Sequence, residues 1–195
     1  MPIVYKTCTS DGNIPDYICD ACSDTEKGRV RGAVYIDKSL KSEIIKANVE
    51  SLAWWETQIE AGLIKIVPTT RGTFDGGTPI TVTGYGDENE KTTGKTFVVS
   101  VSDMNHFGNK PFYQALENNF KNYLFGFRTE KELRISTDAI TALNVQDPVE
   151  EDAESVVNWN ANVTWRQYKP NMLVPIYALT DEVKKLFSNC IEVEP

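Results

Sequence analysis

The segment Thr69–Gly94, TTRGTFDGGTPITVTGYGDENEKTTG, divides the apolar pattern of this chain into two halves. It contains six of the twelve glycines and very few residues that can form a core. Connections in compact domains usually have about 4–6 residues, and much longer ones are usually functional or disordered. The segment therefore predicts an extended arm at about residues 69–94.

Two turn signals divide this predicted arm. Asp75–Pro79 (DGGTP) and Gly84–Asp87 (GYGD) each combine glycine with a residue that favours a bend. Between them, Ile80–Thr83 alternates as a short strand does, and Asp87–Glu90 (DENE) forms a charged tip. We expect a hairpin-like extension with little core of its own, which orders when it contacts a neighbour.

Strands dominate the rest of the chain. Val156–Arg166 (VVNWNANVTWR) has the strongest strand pattern, with Trp159, Val163 and Trp165 on one face and a row of asparagines on the other. The asparagine row is expected to line solvent, a lumen or a neighbouring subunit. Lys95–Ser102 (KTFVVSVS) alternates in the same way. Strands that follow one another without helices between them favour antiparallel pairing.

Three helices are predicted between and after these strands. Ser51 is a plausible N-cap for a helix over Leu52–Leu63. Pro111–Tyr123 has a stripe of large apolar side chains that is typical of a helix docked on a sheet, formed by Phe112, Leu116, Phe120 and Tyr123. Thr180 caps a short helix over 181–187.

The fold class follows from this order of elements. Arg29–Ile36 predicts an early strand, and Leu63–Val67 predicts a short one that ends at Pro68. We expect a single domain over residues 1–195 of the α+β class. Its core is predicted to be an antiparallel β-sandwich or barrel-like sheet, with a flanking helix and the long extended loop.

The chain has four cysteines, Cys8, Cys19, Cys22 and Cys190. Cys19 and Cys22 form a C-x-x-C pair, so the four thiolates are candidates for a structural zinc site that packs the two termini together. Two disulfides and a redox-active pair are alternatives, although a cytosolic origin argues against disulfides. Free, buried thiols are the fourth interpretation.

Composition narrows the function classes. The chain is 41% hydrophobic, which is enough for a core, and its formal net charge is −8 with pI ≈ 4.8. Wrapping nucleic acid requires clustered lysine and arginine, so an acidic chain is a poor candidate for it. No apolar run approaches the roughly 18 residues of a membrane-spanning helix, and the start of the chain does not resemble a signal peptide. We therefore expect it to fold in a cytosol.

The sequence gives little support for catalysis. The single histidine, His106, is not accompanied by a nucleophile elbow or by any other catalytic constellation. A carbohydrate- or receptor-binding module is the alternative to a structural protein, with Trp54, Trp55 and Tyr85 as stacking candidates. Adjacent tryptophans are more often core and interface residues.

Three short stretches resemble a group of small structural proteins of tailed phages and prophages of gut bacteria, including crAss-like phages. They are Arg71–Pro79 (RGTFDGGTP), Gly84–Asp87 (GYGD) and Phe127–Glu130 (FRTE), and the early C-x-x-C and the late cysteine fit the same group. The resemblance implies a virion component of the neck or tail without enzymatic activity. It also implies the architecture of tail-tube-like and ring proteins, with a long loop that reaches the next subunit.

Partners and location follow from the same resemblance. We expect a homo-oligomeric ring that contacts other virion proteins and is assembled in the cytoplasm of the host bacterium. DNA would pass through its lumen without being specifically bound, and no membrane is involved. An acidic subunit suits such a wall because it repels phosphates.

The zinc interpretation predicts a measurable metal content. Protein purified without chelator should contain about one zinc ion per chain by elemental analysis, because four thiolates complete one tetrahedral site. Cys22→Ser should lose most of this metal, whereas Ser23→Ala, a neighbouring change that removes no thiol, should keep it. A wild-type chain without stoichiometric zinc would rule out the four-thiolate site.

Overall fold

The computed structural model describes residues 28–83, 90–104, 108–148 and 157–188. Nine antiparallel strands form one sheet in the order β7-β8-β4-β2-β1-β5-β6-β9, and β3 pairs with β4 beside this path. The strands are β1 Val30–Asp37, β2 Ile64–Phe74, β3 Thr78–Thr83, β4 Glu90–Asp103, β5 Tyr123–Arg128, β6 Glu132–Ile135, β7 Ile140–Gln146, β8 Trp159–Tyr168 and β9 Ile176–Ala178. The predicted α+β class with an antiparallel sheet is confirmed, and among the described strands the sheet is open rather than closed into a barrel.

Four α-helices accompany the sheet in the described residues. They are α1 Lys46–Val49, α2 Leu52–Glu60, α3 Lys110–Asn119 and α4 Asp181–Leu186, and a 3-10 helix over Lys38–Glu43 precedes α1. No helix in these ranges is long and apolar enough to cross a membrane.

The sheet curls so strongly that its two halves pack against each other. Phe125 on β5 and Trp165 on β8 are separated in the sheet by β4, β2 and β1, yet their ring centroids lie 5.8 Å apart. Phe74 lies between the halves, with its centroid 4.9 Å from that of Phe127 and 6.2 Å from that of Trp165. Burying these large rings supplies much of the driving force for the curl, since each buried aromatic side chain is worth about 1.5–3 kcal/mol.

The opposite face of β1, β5 and β6 is covered by α2 and α4. Trp55 of α2 is fully buried, and its ring lies 5.8 Å from that of Phe187, just after α4. The Trp55 indole Nε1 donates a hydrogen bond of 2.8 Å to the carbonyl oxygen of Val49, so its one polar atom is satisfied. Because β1 has a core on both faces, five consecutive residues, Gly32–Ile36, are buried and strand alternation is weak there.

Most predicted elements are confirmed in position. Trp159, Val163 and Trp165 of β8 are buried as the alternation predicts, and Thr180 Oγ1 accepts a hydrogen bond from the backbone N–H of Val183 at the start of α4. Ser51 does occupy the N-cap position of α2, but its hydroxyl makes no capping hydrogen bond.

The predicted end of a strand at Pro68 is wrong, because β2 continues through Pro68 to Phe74. Pro68 pairs with Gly32 of β1, while the pairing of β2 with β4 begins only at Arg71. The side of β2 that faces β4 therefore has no strand partner at Pro68. A proline without an N–H is tolerated at such a position.

The predicted helix over Pro111–Tyr123 is shorter in the structure. It ends at Asn119, a 3-10 turn follows, and Tyr123 already belongs to β5. Leu116 is buried as predicted, but Tyr113, which the predicted stripe leaves out, is buried as well. Its hydroxyl is hydrogen-bonded inside the protein, so it need not face water.

Two adjacent glycines give a matched test of the turn after β2. Gly76 and Gly77 both have positive φ, of 77° and 92°, but only a Cβ at Gly77 would clash with the buried Phe97 ring. Gly77→Ala should lower the free energy of unfolding by about 1–3 kcal/mol more than Gly76→Ala, because overpacking adds to the backbone strain that both share. Urea unfolding of the two variants measures this difference, and equal losses would contradict the packing.

Candidate assembly surface

A two-stranded ribbon extends from the edge of the core. We define the ribbon as β3 together with Glu90–Thr93, the first residues of β4, which pair with β3 alone. From Gly94 onward, β4 also pairs with β8. The ribbon thus starts where β4 loses its second neighbour, and it lies within the predicted arm. Thr70 is buried and Phe74 packs in the core, so the residues before Asp75 belong to the body of the domain.

The ribbon root, Asp75–Gly77, fixes the direction of the ribbon. One carboxylate oxygen of Asp75, Oδ1, accepts hydrogen bonds from the backbone N–H of Gly77 at 2.9 Å and of Val98 at 3.0 Å. The backbone N–H of Asp75 also donates to the carbonyl oxygen of Val98. These bonds hold β2 and β3 along the same edge of β4, although the chain is interrupted between them.

The far side of the ribbon base is also tied to the core. The backbone N–H of Lys169, after β8, donates to the carbonyl oxygen of Thr93 at 3.1 Å. The Thr93 hydroxyl donates to the carbonyl oxygen of Ile80 across the ribbon. The ribbon therefore leaves the domain as an ordered element at its base.

Beyond the base, the ribbon has almost no core. Every residue of β3 is exposed except Ile80, which is half-buried, and 53% of the Val82 surface is exposed. Every residue of β3 except Pro79 is β-branched, and none is charged. In the described part of the chain, β3 pairs on one edge only. An uncharged, β-branched edge strand is a ready template for pairing with another chain.

The outer face of β4 and β8 carries the predicted asparagine row. Ser100 and Ser102 of β4 donate hydrogen bonds of 2.7 Å to the side-chain oxygens of Asn162 and Asn160 of β8. These pairs connect neighbouring strands and leave a polar, partly exposed face. The row is thus a set of cross-strand contacts, a usual source of sheet stability.

Asp103, at the end of β4, is buried beneath α3. The Tyr113 hydroxyl donates a 2.8 Å hydrogen bond to its Oδ2. Burial, and then the negative charge of Asp103, raise the pKa of Tyr113 and of the fully buried Tyr35 well above the usual range. Both side chains are buried, and their hydrogen bond ties α3 to the sheet.

The sequence-predicted site residues are distributed as follows. Cys8, Cys19, Cys22 and Cys190 lie outside the described residues, as do His106 and Tyr85. Within the described ranges, no group of three or more metal-binding side chains comes together.

The proposed tryptophan stacking platform does not form. Trp55 is fully buried, and Trp54 meets it edge-on at 5.3 Å and donates its indole N–H to Glu43 Oε2. Two rings that stack on a sugar must both be accessible, so this pair is structural, as the more frequent role of adjacent tryptophans indicates.

A hollow between the 3-10 helix and β9 is too small for a typical ligand. It is lined by Ile44, Ser136, Pro175 and Tyr177 among others and holds about 80 Å³. Pockets for small molecules usually measure about 300–1,000 Å³. This hollow is therefore not a candidate site for a small ligand.

No protein-family model matches this chain. No curated protein matches it either. Among solved structures, the chain is similar to a protein in the tail of an empty gene transfer agent particle, refined helically with C6 symmetry. The TM-score is 0.33 and the identity 9%, over 57% of this chain and 90% of that one.

A second solved structure, the virion of a native gene transfer agent particle, gives similar values. The TM-score is 0.32 and the identity 8%, over 60% of this chain and 89% of that one. Both TM-scores are too low for the likeness to bear on the fold or the function of this chain.

The raised tyrosine pKa values predict a loss of stability in alkali. The folded state keeps both tyrosine protons above about pH 10, where unfolded tyrosines ionise. The unfolded state then binds fewer protons, so the free energy of unfolding falls as the pH rises. In Tyr113→Phe the fall between pH 9 and pH 11 should be smaller by about 1.4 kcal/mol in total, because the unfolded tyrosine ionises across this range; urea unfolding at the two pH values measures it. Identical slopes would show that Tyr113 is not held neutral.

Proposed function

We propose that this chain is a non-enzymatic structural subunit that assembles with copies of itself into a ring or tube through its ribbon. The observation that carries the proposal is the ribbon itself. It is an ordered, exposed pair of strands whose base is fixed by Asp75 and Thr93. Its outer strand has no charge and, among the described strands, no second neighbour.

The energetics of the ribbon favour a partner. An isolated two-stranded hairpin is at best marginally stable in water. Burying Val82 and Ile80 against a neighbour would add about 25 cal/mol per Å² of apolar surface. Pairing the free edge of β3 would also satisfy its backbone groups in a ladder. The described core contacts neither side chain, so a neighbouring molecule can supply both gains.

A heterologous contact of this kind builds closed rings or open tubes. The ribbon of one copy binds a different surface of the next, and the rotation between copies decides whether the assembly closes. A single domain with one projecting element has the parts that such an assembly requires.

The place of the assembly is proposed to be the neck or tail of a tailed phage particle. The longest of the three stretches that resemble virion proteins of tailed phages, Arg71–Pro79, forms the end of β2, the ribbon root and the start of β3. The motif and the proposed assembly element therefore coincide. Other virion proteins would be the neighbours of the ring, and assembly would take place in the cytoplasm of the host bacterium.

The charge of the chain fits a conduit for DNA. Its net charge of −8 opposes adhesion of phosphates, so DNA would pass through the lumen without specific binding.

A variant without the ribbon tests the proposal. In this variant, Asn-Gly replaces residues 80–94. Pro79 and Lys95, which already pair in the native sheet, are then connected by a favoured two-residue hairpin turn. This variant should stay folded, because it keeps Phe74 and the ribbon root, and it should sediment as a monomer under conditions in which the wild type assembles. Negative-stain images should lose rings or tubes.

A point change provides the matched control. Val82→Lys places a charge on the ribbon and should weaken assembly at least tenfold, whereas Leu173→Lys changes a residue that is 71% exposed elsewhere and should assemble as the wild type does. A wild type that is strictly monomeric across the micromolar range would contradict the proposal. Assembly of Val82→Lys and of the shortened chain at wild-type affinity would contradict it equally.

A further inference from the structure

Two arginines come together at the end of the sheet from which the ribbon leaves. Arg128, the last residue of β5, pairs with Gly32 of β1 and so lies beside Arg31. On the other side of Arg31, Val30 pairs with Gly72 of β2, two residues before the end of that strand. The arginine pair is therefore close to the ribbon root.

The arginine pair is only partly neutralised by the described residues. Arg31 Nη2 lies 3.7 Å from Glu130 Oε1, and the side chain of Arg31 is 33% exposed. The Nε atoms of Arg31 and Arg128 are both buried without a hydrogen-bond partner in the described part of the chain. Burial, and then the charge of Arg31, lower the pKa of Arg128. Two half-buried guanidinium groups on neighbouring strands, each of which feels the charge of the other, favour a bound anion.

The residues around the two arginines also carry a net positive charge. Residue 31 and the β5–β6 hairpin together carry four basic side chains and two glutamates. One of the basic side chains, Arg134, is already engaged by Glu132 at 3.1 Å. The result is a local positive charge on a chain whose net charge is −8.

We propose that Arg31 and Arg128 form the receiving site for the acidic end of the ribbon of a second copy of this chain. The proposal rests on the proposed function, because it assigns the surface that the ribbon contacts. The sequence between β3 and the first pair of the ribbon supplies Asp87 and Glu88, and Glu90 follows as the exposed first residue of β4. Carboxylates are the groups that guanidinium binds with the best geometry.

Two properties of the ribbon end favour it as the occupant: its negative charge and its distance from its own core. The last three residues of β3, Thr81–Thr83, pair with β4 beyond the point where β8 ends and span about 10 Å at roughly 3.3 Å per residue, so Glu90 at the end of the ribbon lies away from its own core. The acidic run Asp147–Glu154 is another source of carboxylates, but no comparable projecting strand pair precedes it in the described residues.

Charge exchange between the two surfaces tests the inference. Arg31→Glu with Arg128→Glu should weaken assembly at least tenfold in sedimentation velocity, and Asp87→Lys with Glu88→Lys and Glu90→Lys should do the same. The chain with all five changes should recover most of the wild-type affinity. Lys65→Glu with Lys110→Glu, which reverses two exposed charges away from the ribbon, is the matched control and should assemble normally.

Each contrary result has a distinct meaning. If the Arg31 and Arg128 double variant assembles like the wild type while Val82→Lys does not, the inference is overturned and the proposed function stands. The arginine variant and the carboxylate variant could both lose assembly while the chain with all five changes does not recover it. The arginines would then bind another group, such as carboxylates of their own chain or the acidic run Asp147–Glu154, and the inference is overturned. If the wild type never assembles, the proposed function fails and the inference with it. Arg31→Gln with Arg128→Gln, a milder change that avoids new repulsion with Glu130, should still weaken assembly and guards against misfolding.

Discussion

The ring of Phe74 lies where the two halves of the curled sheet meet, and the shape of the domain depends on this contact. Phe74 belongs to β2, in the middle of the strand order, yet it packs on Phe127 from one half of the sheet and on Trp165 from the other. A flat sheet of this width would leave these rings in water. With the rings stacked inside, one face of the sheet becomes a closed core, and the opposite face of β1 and β5 remains available for α2 and α4.

The same residue also sets the starting point of the ribbon. Because Phe74 must be inside, the chain can leave the core only after it, and Asp75–Gly77 is the next available turn. The carboxylate of Asp75 then binds Gly77 and Val98, and the absence of a side chain at Gly77 makes room for the ring of Phe97. The buried aromatic core and the exposed ribbon thus follow each other directly in the chain, and stability and the proposed assembly depend on adjacent residues.

Sequence patterns predicted the structure correctly wherever a strand has one buried face or a helix has a local cap. Trp165 on β8 and the Thr180 cap are examples, since both depend on neighbours in the sequence. Patterns failed where a distant contact overrides the local preference. Pro68 is tolerated because β4 is not yet paired there, and Tyr113 and Gln167 are buried because their polar atoms have partners. In its better-satisfied orientation the Gln167 amide binds the backbone of residues 137 and 173, which no local pattern contains. The extension could be predicted because its glycines are neighbours in the sequence. The two arginines at its base are far apart in the sequence and come together only through the pairing of β1 with β5.

The long strand β4 gives the ribbon a mechanical property. Its 14 residues run without interruption from the ribbon into the middle of the sheet, with β8 on one side and β2 on the other. Backbone hydrogen bonds between antiparallel strands lie perpendicular to the strands. A pull along the ribbon therefore loads the hydrogen bonds of β4 together, in shear, instead of peeling them apart one after another. A tensile force on the ribbon is thus borne by the body of the domain.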